Sequence, residues 1–103
     1  MSTKPTQTIN SNYIIHFEVK TKSLNEFHNI MQNVKQELPN LEACNSVKIY
    51  RDNENPEKYT LVENWKSPES HQSHVQELIN NGTWEHISNL LEIPPTASYF
   101  EQL

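Results

Sequence analysis

Between Tyr13 and Lys20, in YIIHFEVK, the apolar pattern has a period of two. Tyr13, Ile15, Phe17 and Val19 share one face of an extended chain, and Ile14, His16, Glu18 and Lys20 the other. This predicts a strand buried on one side. From Leu24 the period changes: Leu24, Phe27, Met31, Val34 and Leu38 recur at steps of three and four, drawing a narrow apolar stripe along a helix that ends before Pro39-Asn40. Ser23 and Glu26 stand in the S-x-x-E spacing, in which each side chain can satisfy an orphan backbone N–H of the first helical turn. Two further runs, SVKIYR (46–51) and KYTLVENWK (58–66), are rich in β-branched and aromatic residues and flank DNENPE, a cluster of turn formers. They predict an antiparallel hairpin.

A second helix is expected from Ser67-Pro68 to about Asn81, because serine caps well and proline suits the first helical position, where its missing N–H has no partner to lose. Gly82 stops it. Thr83 is expected to cap a short third helix on which Trp84, Ile87 and Leu91 align; Pro94-Pro95 breaks the chain, and TASYFEQL offers a last strand. The resulting order, β-α-β-β-α-(α)-β, predicts a ferredoxin-like α+β fold with the helices on one face of a four-stranded antiparallel sheet. The other face then needs a partner.

Composition sharpens that last point. The chain has 103 residues, enough for one domain, and is 34% apolar, against roughly 45–50% in ordinary globular chains. One copy thus has little material to cover its own core, which favours self-association. Residues 1–11, rich in Thr, Asn and Ser, read as a flexible tail ahead of a domain spanning 12–103. The formal charge of -5, with no Lys/Arg cluster, argues against nucleic acid and anionic membranes as partners. The polar N-terminus, the lack of any long apolar run and the single cysteine, Cys44, fit a cytoplasmic protein with a buried structural thiol.

Several positions carry possible chemistry. On the second helix His71, His74, Val75 and Leu78 share the sheet-facing stripe, with His71 expected at its wet edge and His74 a hydrogen-bonded core residue, another wet-edge residue or a functional group. On the preceding strand Glu63 shares a face with Tyr59, Leu61 and Trp65. If helices cover that face, the carboxyl is desolvated and its pKa raised towards a range useful for proton transfer; at the sheet rim it would instead pair with a Lys or Arg. Two histidines without further ligands do not make a metal site, and the lone Gly82 excludes glycine-rich phosphate cradles. No serine or cysteine stands in a nucleophile elbow. Trp84 reads as a core residue or a ligand platform.

The stretch YRDNENPEKYTLVENWKSPESHQSHVQ resembles the signature region of the antibiotic biosynthesis monooxygenase family, with Tyr50, Arg51, Asn55, Pro56, Val62, Glu63, Trp65, Ser67 and His74 at matching places. The likeness extends from Tyr13 to Leu103. It implies a dimeric α+β barrel with a small pocket between each sheet and its helices. It also implies oxidation of an aromatic, anthrone- or quinol-type metabolite by O2 without metal, flavin or other cofactor. In that setting His74 would serve as base, Glu63 as its orienting group and Trp65 as a flat wall, while Tyr59, Leu61, His71, Trp84 and Phe27 would contact the substrate. The family also contains haem-degrading enzymes and members without demonstrated activity, so the alternatives are a non-catalytic dimeric barrel that binds a small ligand in an accessory or stress-response role, and a haem-degrading monooxygenase. One departure is that Ile79 stands near the place where many relatives carry a second histidine.

Overall fold

The computed structural model describes residues 11–103. The expected N-terminal tail lies outside the described residues except for Ser11, which already belongs to the first strand. The elements are β1 (Ser11–Glu18), α1 (Leu24–Glu37), β2 (Cys44–Arg51), β3 (Lys58–Trp65), α2 (Pro68–Asn80), α3 (Thr83–Asn89) and β4 (Thr96–Phe100). The four strands form one antiparallel sheet in the order β2-β3-β1-β4. This is the predicted ferredoxin-like α+β architecture.

Register follows from the alternation. Tyr13 lies opposite Glu63 on β3 and Tyr99 on β4, Ile15 opposite Leu61, and Phe17 opposite Tyr59. Residues directly opposite in an antiparallel pair project from the same face, so these side chains all meet the helices. The core they build joins Ile15, Phe17, Tyr59 and Leu61 to Phe27 and Met31 of α1, to Ile87 of α3 and to Leu90 and Leu91 just beyond it. Phe27, at 0% exposure, is the most deeply buried aromatic, edge-on to Phe17 at 5.2 Å and 5.0 Å from Tyr59. A second cluster joins Leu38, Cys44 and Trp65. Cys44 enters it through a register shift between Cys44 and Ser46; the extra residue lets both Cys44 and Val47 face inward.

Two helix starts differ from the sequence pattern. Ser23 ends a 3-10 turn (Thr21–Ser23) with φ −108° and ψ 5°, and its side chain makes no capping bond. A capping hydroxyl reaches the N2 or N3 amide from an extended backbone, which the preceding turn forbids, and Glu26 meets His86 of α3 at 2.6 Å instead. At α3, Thr83 is the first helical residue rather than the cap. Gly82 precedes it with φ 83°, and the Asn81 side-chain oxygen accepts from the Thr83 N–H at 2.9 Å. Ser67 caps α2 as expected, its hydroxyl accepting from the Ser70 N–H at 3.1 Å.

The segment after α3 is stitched to the end of β1: Leu91 bridges Val19, Lys20 N–H donates to Leu90 O at 2.9 Å and Glu92 N–H to Glu18 O at 2.8 Å. This anchors one end of α3 beside the sheet. On the opposite face of the sheet no described helix packs; it carries Ile14 and Val62 side by side, with Tyr50 and Phe100 exposed towards its edges.

Candidate active site

The alternation of β3 decides where Glu63 goes. It lies among aromatic and aliphatic side chains on the helix-covered face, 7% exposed. Burial raises its pKa above the ordinary carboxylate value, and a hydrogen bond from the Trp65 indole N–H to Oε1, 2.7 Å long, pulls partly the other way. Trp65 is only 1% exposed, so its indole supports the carboxyl from behind.

His71 departs from the environment its spacing suggested. His71, expected at the wet edge, is 3% exposed, and His74 is half-buried. The reason is where α2 touches the sheet. Ser67 caps the helix two residues after Trp65, which brings its first turn down onto β3 and β4, whereas its later turns are separated from the sheet by a cavity. The His71 ring stacks on Tyr13 with centroids 3.9 Å apart and stands edge-on to Trp65 and Tyr99 at 5.5 and 5.4 Å. Its Nδ1 lies 2.7 Å from the Tyr99 hydroxyl and its Nε2 is 3.8 Å from Glu63 Oε1. Desolvation, with the nearby His74 adding to it, pushes its pKa down to about 4, so the imidazole is neutral at pH 7. The tautomer that suits both neighbours carries its proton on Nε2, towards Glu63, with the Tyr99 hydroxyl donating to Nδ1. The imidazole within ion-pair distance of Glu63 is therefore that of His71.

His74 packs its ring on Trp65 at 5.1 Å. Burial lowers its pKa, and the Glu77 carboxylate one turn on opposes that shift. Tyr13 is shifted upward by burial first, then by Tyr99 and Glu63.

These groups border a cavity of about 520 Å³. Tyr13, Ile15, Leu61 and Glu63 of the sheet form its floor; Met31 and Val34 of α1 stand on one side, His71, His74 and Leu78 of α2 on the other, and Trp84 and Ile87 of α3 close the end. That size is in the range of small-molecule sites, and a mainly apolar wall with a few convergent polar groups is their usual character. Of the residues singled out from sequence, His74, Glu63, Leu61, His71 and Trp84 reach this cavity together. Trp65, Tyr59 and Phe27 do not line it: Phe27 and Tyr59 pack into the main core and Trp65 into the cluster with Leu38 and Cys44, while Tyr59 also borders a separate hollow beside Arg51 and Thr60 and bonds His28 Nδ1 at 2.9 Å through its hydroxyl. Their bulk and their place on the sheet-facing side match those of wall residues, and only three-dimensional depth separates the two groups. Tyr13 and Tyr99 join the site unannounced. Tyr13 shared the strand's inward face, but nothing in TASYF marks Tyr99 as the partner of a histidine 28 residues earlier.

Among the described residues, no group of three or more His, Cys, Asp or Glu side chains is disposed to hold a metal ion. No described helix is long and apolar enough to cross a membrane. Cys44 is buried beside Trp65, its pKa pushed up to about 11 by burial and then by Glu63, so its thiol is unreactive at neutral pH.

The model of the family described as antibiotic biosynthesis monooxygenase matches residues 13–78. No curated protein matches the chain. Among solved structures, a conserved protein of Methanosarcina mazei Go1 is similar at 22% identity and a TM-score of 0.80, over 93% of this chain and 95% of that one. A Nitrosomonas europaea protein named for antibiotic biosynthesis monooxygenase gives 17% identity and a TM-score of 0.80, over 94% and 93% of the two chains. A point mutant of SnoaB from Streptomyces nogalater, named as a cofactor-independent oxygenase, gives 10% and 0.76, over 91% and 93%. At such identities the likeness to these structures speaks for the fold alone.

Proposed function

Because the chain belongs to the antibiotic biosynthesis monooxygenase family, we propose that it is a homodimeric oxygenase that binds a flat phenolic, anthrone- or quinol-type metabolite in the cavity above Glu63 and oxidises it with O2. The substrate is the reductant. Removing a ring hydroxyl proton leaves an electron-rich anion able to pass an electron to oxygen. For an anthrone the methylene becomes a carbonyl, one oxygen atom enters the product and the other leaves as water, so electrons and atoms balance without a further donor. For a hydroquinone, two electrons and two protons pass to O2 and yield quinone and peroxide.

The protein's work is then to hold the ring, take one proton and balance the charge that results. His74 is the base: its imidazole lines the cavity and burial favours its neutral, proton-accepting form. Once protonated it pairs with the substrate anion. Glu63 and His71 form a second polar pair at the cavity floor, fixed by Trp65 and Tyr99 at 2.7 Å each. Trp65 acts as a positioning residue through Glu63, and the flat surfaces offered to the ring are those of Tyr13 and Trp84. The observation that carries this reading is the convergence of His74, His71 and a buried Glu63 on one largely apolar hollow. The description of SnoaB as a cofactor-independent oxygenase supports it.

The test is oxygen uptake with anthrone and hydroquinones in metal-free buffer, against a heat-killed control. Uptake above the control is expected, and His74→Ala should lower turnover about 10²–10⁴-fold, the usual contribution of a positioned base, while the native mass stays unchanged. No uptake, or equal rates in variant and wild type, would overturn the assignment.

A further inference from the structure

Apart from two histidines and Tyr13, the ionisable side chains lining the cavity are all carboxyls. Glu63 lies at its floor, Glu37 at the end of α1 and Glu77 on α2 stand at its exposed margin, and no lysine or arginine among the described residues contributes to its wall. Neither Glu37 nor Glu77 has an ion pair with Lys or Arg among the described residues, so their charges are not neutralised locally. His71 and His74 are both shifted towards the neutral form. The whole chain adds to the same field, with a formal charge of -5.

We infer that the cavity selects uncharged or cationic ring compounds and rejects those carrying a carboxylate or sulfonate. This rests on the ligand-binding part of the proposed function and narrows its substrate class. An anion entering the cavity would leave water for a mainly apolar wall with no cation to receive it, and desolvating an unpaired charge is costly. At the cavity's exposed margin it would also meet the carboxylates of Glu37 and Glu77, which are of its own sign. A neutral phenol meets neither obstacle. Proton transfer then forms an imidazolium and a substrate anion side by side, which leaves the cavity's net charge unaltered. A substrate already carrying a carboxylate would add an uncompensated negative charge throughout that step.

The test measures binding of three naphthalenes of near-equal size to the intact protein by titration calorimetry at pH 7.5: 2-naphthol, 2-naphthoate and 2-naphthylmethylammonium. None of them needs to react. Naphthoate should bind more weakly than naphthol by on the order of tenfold or more, a gap that narrows as salt screens the mouth, and the ammonium should bind at least as well as naphthol. Glu37→Lys, an exposed substitution that leaves the core untouched, should raise the ratio of naphthoate to naphthol affinity at least threefold. Equal binding of naphthoate and naphthol, a naphthoate-to-naphthol ratio indifferent to Glu37→Lys, or no binding of any of the three would overturn the inference. The outcomes separate from those of the oxygen assay: charge-ranked binding without oxygen uptake sinks the oxygenase reading and keeps the selectivity, whereas oxygen uptake with naphthoate bound as well as naphthol does the reverse.

Discussion

At Glu63, burial and a donated hydrogen bond pull in opposite directions: desolvation favours the neutral carboxyl, and the Trp65 N–H favours the anion. Trp65→Phe keeps an aromatic ring in the core but removes that donor. The Glu63 pKa should then rise further, as read by NMR titration of its side-chain carboxyl carbon; an unchanged or lower midpoint would show that the indole does not tune it. His71 has the opposite linkage. Its folded-state pKa of about 4 lies below the ordinary 6.5, so the unfolded chain binds the proton first as the solution becomes acidic. The stability associated with the neutral ring is present above about pH 6.5 and is lost as pH falls towards 4. His71→Phe should therefore flatten the fall in Tm between those values, while a decline as steep as in wild type would place the acid sensitivity elsewhere. Period two on β3 put Glu63 on one face with Tyr59, Leu61 and Trp65, but a desolvated carboxyl and a rim carboxyl paired with Lys or Arg both fitted that pattern, and only the structure decided for burial. That His71, and not His74, is the deeply buried imidazole was not legible either, because helical spacing sets which residues share a stripe but not how far each turn stands from the sheet.

The position of α2 depends on its first turn. The Ser67 hydroxyl accepts the Ser70 N–H, and this cap starts the helix close enough to Trp65 for His71 to press onto Tyr13. Ser67→Ala should lower stability by about 1 kcal/mol, seen as a reduced midpoint in urea unfolding; no change in midpoint would mean that water satisfies the amide equally well. At Gly82 the backbone takes φ 83° with nothing within 4 Å of the place a Cβ would occupy. An alanine there meets no neighbour and still costs about 1–2 kcal/mol, the preference of L residues against the left-handed region. Gly82 as a helix stop was readable because glycine alone enters that region without penalty. The S-x-x-E signal at Ser23 misled because the local pattern does not report the 3-10 turn that takes the serine out of the extended geometry a cap requires.

For the whole molecule, the sheet face without helices is the open question, and the proposed homodimer answers it: Ile14 and Val62, directly opposite each other on the two central strands, would meet their counterparts in a second copy. Val62→Lys should then shift the native mass from two chains to one in sedimentation experiments without unfolding the chain, whereas a monomeric wild type would remove the basis of the prediction. The low apolar fraction that suggests such pairing is a property of composition and needs no coordinates. The order of elements, the inward faces of the strands and the apolar stripe of α1 were likewise determined by sequence alone, since each follows from a period of two or of three to four and from where Gly and Pro interrupt it. The cavity came from tertiary structure. Whether Trp65, Phe27 and Tyr59 pack into the core or line the cavity wall, and whether Tyr99 reaches His71, depends on the distance between helices and sheet, a quantity set by the packing of all the side chains at once and encoded at no single position.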